Sequence, residues 1–110
     1  MDAVILVLCN VPDCATGEAI ARAAVTRGEA ACVNLLPGVQ SIYRWQGQVE
    51  EAQEVTLLFK TAQECYPALE RLIRSMHPYQ VPEIISLPVG GGLPAYLEWV
   101  VKETRKPLDA

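Results

Sequence analysis

The sequence predicts an α+β fold whose elements run β-α-β-β-α-β, with one more helix toward the C-terminal end. Three observations predict it. Apolar or alternating runs fill 3–10, 30–36 with 39–45, 49–60 and 82–89, which suits buried or half-buried strands. Apolar residues recur at helical spacing within 14–27 and over 65–76, the signature of one-sided helices. Proline and glycine stand between these runs, where the chain must turn.

The first run, 3–10, reads as a buried strand, and Pro12-Asp13 ends it. Asp13 is a natural cap for a helix over 14–27, and Gly28 follows its last turn. Ala15, Ala19, Ile20, Ala23, Ala24 and Val25 would give that helix a small-residue face able to lie close to a sheet. A second strand covers 30–36, bends at Pro37-Gly38, and resumes as 39–45. Gln46-Gly47-Gln48 turns the chain, and 49–60 returns as a third strand in which Val55, Leu57 and Phe59 alternate with Thr56 and Lys60. This hairpin is long, and its far end has no evident core to cover it.

Thr61-Ala62-Gln63-Glu64 has the form of a capping box. Cys65, Leu69, Leu72, Ile73 and Met76 then form one apolar stripe, and His77-Pro78 stops the helix. A fourth strand follows over 82–89. Pro94 opens a last helix with Tyr96, Leu97, Trp99, Val100 and Val101, and with Lys102, Arg105 and Lys106 in its final turns. The order is that of the ferredoxin-like split βαβ arrangement. Right-handed crossovers would put both main helices on one face of an antiparallel sheet. The other face also carries apolar positions, and self-association would cover it.

The 110 residues fit one domain over 1–110. Half of them are apolar, at 51%, enough for a core without staples. The net charge is −4, and nine Lys and Arg are scattered. Neither a nucleic-acid surface nor a polybasic membrane surface is expected from that pattern. The apolar run after Met1-Asp2 is too short to cross a bilayer, and no basic region precedes it. A cytosolic protein is expected. Cys9, Cys14, Cys32 and Cys65 lack close pair spacing, so free thiols in a reducing compartment are expected.

Several segments resemble the CutA family of divalent-cation tolerance proteins. They are Ala30-Ala31-Cys32-Val33-Asn34-Leu35-Leu36-Pro37-Gly38, Ser41-Ile42-Tyr43-Arg44-Trp45-Gln46-Gly47, Glu54-Val55, Lys60-Thr61, His77-Pro78-Tyr79-Gln80-Val81-Pro82-Glu83 and Leu93-Pro94-Ala95-Tyr96-Leu97. The resemblance runs through nearly the whole chain. It implies a homotrimer of ferredoxin-like subunits, similar in outline to PII signalling proteins, with long hairpins embracing neighbours. It also implies a link to copper and other divalent metals.

Cys9 and His77 are the leading metal candidates, because thiolate and imidazole suit copper or zinc. The resemblance carries the family's copper-linked cysteine and histidine onto these two positions. Where some members have a second histidine, this chain has Met76. The plainer readings are a structural cysteine at a strand end and a histidine facing a helix dipole. Cys14, in the first helical turn, is a surface thiol or an added ligand; Cys32 and Cys65 read as core. Glu50, Glu51 and Glu54 are a solvated strand face or a carboxylate group for acid–base work or hard cations. Glu54, Lys60, Tyr79 and Glu83 are candidates for an intersubunit cleft or for an intersubunit polar network. Tyr43, Trp45, Tyr96 and Trp99 suit interface packing, with Tyr43, Trp45 and Trp99 assigned to the trimer interface.

The expected function is a trimeric metal-binding protein. The alternative is a PII-like sensor or scaffold whose cleft regulates an unidentified protein partner. An acylphosphatase-like hydrolase is disfavoured, since Asn10-Val11-Pro12-Asp13-Cys14 offers neither glycines nor arginine for an anion. With a single histidine, no catalytic triad is evident and no enzyme is expected.

Overall fold

β1 (Val4–Val11) places Ile5, Val7, Cys9 and Val11 in the core, the alternate positions that a two-residue period puts on one face. The computed structural model describes residues 3–104. Asp13 caps α1 (Cys14–Thr26) as expected, its carboxylate accepting from the Thr16 amide at 2.8 Å. The buried stripe of α1 is Gly17, Ile20, Ala21 and Ala24, whereas Ala15, Ala19 and Val25 face solvent. Helical rotation of about 100° per residue separates these two sets, and the alanine-rich face expected from composition is corrected to this stripe. Gly17 sits hard against the sheet. A Cβ there would meet Leu57, Val11 and Leu35 at 3.1, 3.2 and 3.3 Å.

β2 (Cys32–Trp45) and β3 (Gln48–Ala62) form the long hairpin. Gln46 and Gly47 both have positive φ, 52° and 80°, as a two-residue hairpin turn of the primed type requires. The register slips between Leu36 and Val39. Gly38, at φ 77°, supplies the left-handed residue of that bulge.

A 3-10 turn, Gln63–Cys65, leads into α2 (Tyr66–Met76). The helix cap is Cys65, not Thr61. Thr61 is still within β3, fully buried, and its hydroxyl donates to the Glu29 carbonyl at 2.7 Å. Leu69, Leu72 and Ile73 enter the core as the stripe predicts, but Met76 is 36% exposed and lies outside it. Met76 ends the helix, beyond the sheet that covers the preceding turns.

β4 (Ile84–Pro88) is shorter than the expected strand and pairs with β1 at the sheet edge. α3 (Pro94–Glu103) follows. Arg105 and Lys106, expected in its last turns, lie outside the described residues.

The described residues thus form an α+β fold with four strands and three α-helices. The sheet order is β2-β3-β1-β4, every neighbouring pair antiparallel. α1 and α2 pack on the face that carries Phe59, Leu57 and Val7. α3 crosses the opposite face. Its Tyr96 hydroxyl bonds Cys32, whose sulfur also accepts from Lys60 at 3.9 Å on the side away from the core. Val100 is fully buried there, while Leu36, Ile85 and Leu87 on that face remain exposed. No described helix is long and apolar enough to cross a membrane.

Candidate functional site

Asn10 stands where three elements meet. It lies near the end of β1, opposite Thr56 of β3, so its side chain points to the face away from α1 and α2. Its Oδ1 accepts from the Thr56 hydroxyl at 2.6 Å, and its Nδ2 donates to Glu83 at 2.8 Å. Its backbone carbonyl accepts from His77 Nε2 at 2.7 Å. The Cys9 thiol makes a weaker contact with the same carbonyl at 3.8 Å. The two metal candidates, remote in sequence, therefore meet at one oxygen.

Neither candidate is free in this arrangement. His77 Nδ1 accepts from the Tyr79 amide at 3.1 Å. That bond leaves the ring proton on Nε2, which donates to Asn10. His77 is 9% exposed and its ring lies 4.7 Å from the Tyr79 ring. Cys9 is fully buried. Burial first, then the charges of Glu83 and Glu54, push its thiol up to about 12. At neutral pH it is a protonated thiol, a poor ligand until a metal displaces the proton. Among the described residues no three of His, Cys, Asp and Glu come together as a metal set.

On the other side of Asn10 opens a cavity of about 590 Å³. The root of the hairpin forms one wall, with Ser41, Tyr43, Trp45 and Glu54; the segment between α2 and β4 forms the other, with Tyr79, Val81 and Glu83. Glu54 is 8% exposed. Ser41 donates to one of its oxygens at 2.6 Å and the Tyr79 hydroxyl to the other at 2.8 Å. Burial, then the hydrogen bond and charge of Glu54, push the Tyr79 hydroxyl up to about 12.

Glu54, Tyr79 and Glu83, three of the four cleft candidates, therefore share one wall system. Lys60 does not join them. It lies about 20 Å along β3 from Glu54 and bonds Asn34 and Cys32. Of the aromatic candidates, Tyr43 and Trp45 border the cavity. Trp99 is on α3, its ring tilted by 34° against that of Tyr96 with the centroids 5.6 Å apart. Cys14 is exposed at the start of α1, and Cys65 is buried; none of the four cysteines forms a disulfide among the described residues. Cys32, expected in the core, instead faces Lys60 and Tyr96, because its register partner Lys60 occupies the face away from α1. Glu50 and Glu51 lie on the exposed arm, where Glu51 accepts from Gln40 at 3.3 Å. Sequence reasoning did not single out Asn10 or Ser41. The one available signal was Asn10 itself, a polar residue inside an apolar strand run.

Residues 5–103 match a family model described as CutA1 divalent ion tolerance protein. A divalent-cation tolerance protein CutA of Thermus thermophilus is 46% identical over 99 residues, covering 90% of this chain and 96% of that one. A protein CutA of Mus musculus is 48% identical over 93 residues, covering 84% of this chain but 52% of the longer mouse protein. A solved structure of the Thermus thermophilus divalent cation tolerance protein superposes with a TM-score of 0.91 at 45% identity, covering 93% of this chain and 99% of that one.

Proposed function

The chain belongs to the CutA1 divalent ion tolerance protein family, and from that premise we propose that it is a metal-binding protein of the divalent-cation response rather than an enzyme. Copper is the first candidate ion, with zinc and other divalent cations behind it. The observation that carries this reading is the meeting of Cys9 and His77 at the Asn10 carbonyl. Their donor types suit copper and zinc. Two ligands are fewer than a closed site needs, so one chain by itself fits such an ion in kind and not in number. To bind, Cys9 must lose its proton and His77 must release one of its hydrogen bonds. Binding would therefore release protons and strengthen as pH rises. The names of the relatives support this reading over a PII-like sensor or scaffold.

The proposed assembly is a homotrimer of ferredoxin-like subunits. The strand order β2-β3-β1-β4 supports the ferredoxin-like description. Exposed apolar surface supports association. Tyr43, Trp45 and Trp99 are 44%, 46% and 41% exposed, and Ile42 and Val49 are barer still. Aromatic residues of this kind favour interfaces. In such a trimer the cavity beside Glu54, Tyr79 and Glu83 becomes a cleft between subunits. Cysteines that form no disulfide among the described residues support a cytosolic setting.

Titration of Cu(I), Cu(II) and Zn(II) into the protein and its Cys9→Ser and His77→Ala variants tests the metal site. Each variant is expected to bind copper more weakly; unchanged binding in both would reject the site. Light scattering is expected to give the mass of three chains, and a single-chain mass would reject the assembly.

A further inference from the structure

Cys32 and Lys60 face each other across the inner part of the hairpin, on the sheet face away from α1 and α2. They are register partners in the β2–β3 ladder. Directly opposed side chains of an antiparallel pair point the same way, with Cβ atoms about 5 Å apart. The Lys60 ammonium donates to the Cys32 sulfur at 3.9 Å and to the Asn34 side-chain oxygen. Asn34 stands two residues along β2 on the same face, so it and the sulfur hold the amine in place together. The Tyr96 hydroxyl of α3 bonds the same sulfur. A nucleophilic sulfur and a primary amine are thus fixed side by side.

Two features give this pair chemistry beyond packing. Both acceptors of Lys60 are neutral, and among the described residues it forms no ion pair. The amine can therefore lose a proton without stranding a carboxylate. Cys32 and Lys60 are each only partly buried, whereas Cys9 and Cys65 are closed to solvent. Thiol oxidation follows access, and the sulfenic acid it yields condenses with a neighbouring nucleophile, nitrogen included. Both residues belong to one hairpin, and peroxide is barely larger than water. A neighbouring subunit over this face would slow the reaction without separating the partners.

We propose that peroxide links Cys32 to Lys60 covalently, as a sulfenamide between Sγ and Nζ. Hydrogen peroxide first takes the thiol to a sulfenic acid: an S–O bond forms, the O–O bond breaks, and water leaves. The sulfur is oxidised and the peroxide reduced. Lys60, its ammonium proton given up to water, then attacks the sulfur. The S–N bond forms, the S–O bond breaks, and the departing hydroxide takes a proton from the nitrogen to leave as water. The link removes the positive charge of Lys60 and ties β2 to β3. Added thiol reverses it: attack at the sulfur frees the amine, and further thiol restores Cys32. This modification site goes beyond metal tolerance and does not rest on metal binding.

Mass spectrometry of the full chain after mild hydrogen peroxide treatment tests the link. A species lighter by about 2 Da is expected, and dithiothreitol should restore the parent mass. Tryptic digestion should join peptide 28–44, which carries Cys32, to peptide 45–71, in which Lys60 escapes cleavage. Fragmentation should place the junction on Lys60 rather than on Cys65. Lys60→Arg keeps the cation and removes the condensing amine. In that variant the joined peptide should vanish, and trapping of the Cys32 sulfenic acid by dimedone should rise about fivefold. No peptide joined through Lys60, a joined pair that retains an oxygen, or equal dimedone labelling in parent and variant overturns the proposal. The peptide map of the parent decides even if the variant folds poorly.

Discussion

The two halves of β3 live in different surroundings. From Val55 to Ala62 the strand runs through the centre of the sheet between β1 and β2, and Val55, Leu57, Phe59, Thr61 and Ala62 are all buried. From Gln48 to Gln53 it pairs only with β2, and Val49 is 73% exposed. The inner half is held by packing against α1 and α2. The outer half is held by ladder hydrogen bonds and a two-residue turn, which alone give marginal stability in water. One strand thus divides the labour: its root fixes the fold, and its arm pairs with the part of β2 that carries Tyr43 and Trp45, left for contacts with something else.

Mutations can break or sharpen this contrast. The largest effect is expected from Phe59→Ala at the root, a loss of about 3–5 kcal/mol, against about 0.5 kcal/mol or less for Val49→Ala on the arm. Urea denaturation measures both, and comparable losses would dissolve the distinction.

Alkaline pH probes the root next. The Cys9 thiol ionises near 9.0 in the unfolded chain and near 12 in the folded one. Between those values the unfolded state holds fewer protons, so stability falls as pH rises, by up to about 1.4 kcal/mol per pH unit. Tyr79, raised likewise, adds to the fall above its ordinary 10.0. Urea midpoints between pH 8 and 11 should show a shallower decline in Cys9→Ala than in the parent; equal slopes would mean that Cys9 does not titrate as its burial requires.

Thr61→Val ranks third. It removes a buried hydroxyl and leaves the Glu29 carbonyl without that donor, at about 1–2 kcal/mol. Thermal unfolding should register the loss. Trp45→Ala, on the arm, should change the stability of a single chain by about 0.5 kcal/mol or less while shifting light-scattering mass away from the trimer. A large drop in chain stability with unchanged mass would place Trp45 with the root. Asp13→Ala should give the smallest effect, a slightly lower Tm. The Asp13 carboxyl is held below its ordinary 3.8 by the Thr16 amide, so its contribution is present above that value and lost as acid protonates the folded carboxyl.

Much of the root was legible in the sequence because its signals are local. Asp13 announced a helix start, and Leu69, Leu72 and Ile73 a helical stripe. Each depends on neighbours within one or two turns of chain. The arm was legible in its turn at Gln46-Gly47-Gln48 and otherwise only as an excess, a hairpin longer than its core. The candidate site was legible in part. Cys9, His77, Glu54, Tyr79 and Glu83 were named from residue type and family resemblance, and they lie on the two sides of Asn10. Lys60 was grouped with them on the same grounds, yet strand geometry sets it about 20 Å away.

The sequence by itself determined the order of the elements, the helix that opens at Asp13, the turn at Gln46-Gly47 and the family resemblance, since periodicity, capping and turn chemistry act over a few residues. Tertiary structure alone decided that His77 and Cys9 reach one carbonyl, that Glu54 is buried with Ser41 and Tyr79 as its donors, and that α3 covers part of the second sheet face. Those facts follow from strand register and from how segments distant in the chain come to rest on one sheet. A shift of one residue in pairing turns every side chain of a strand to the opposite face, and no local signal in the sequence reports it.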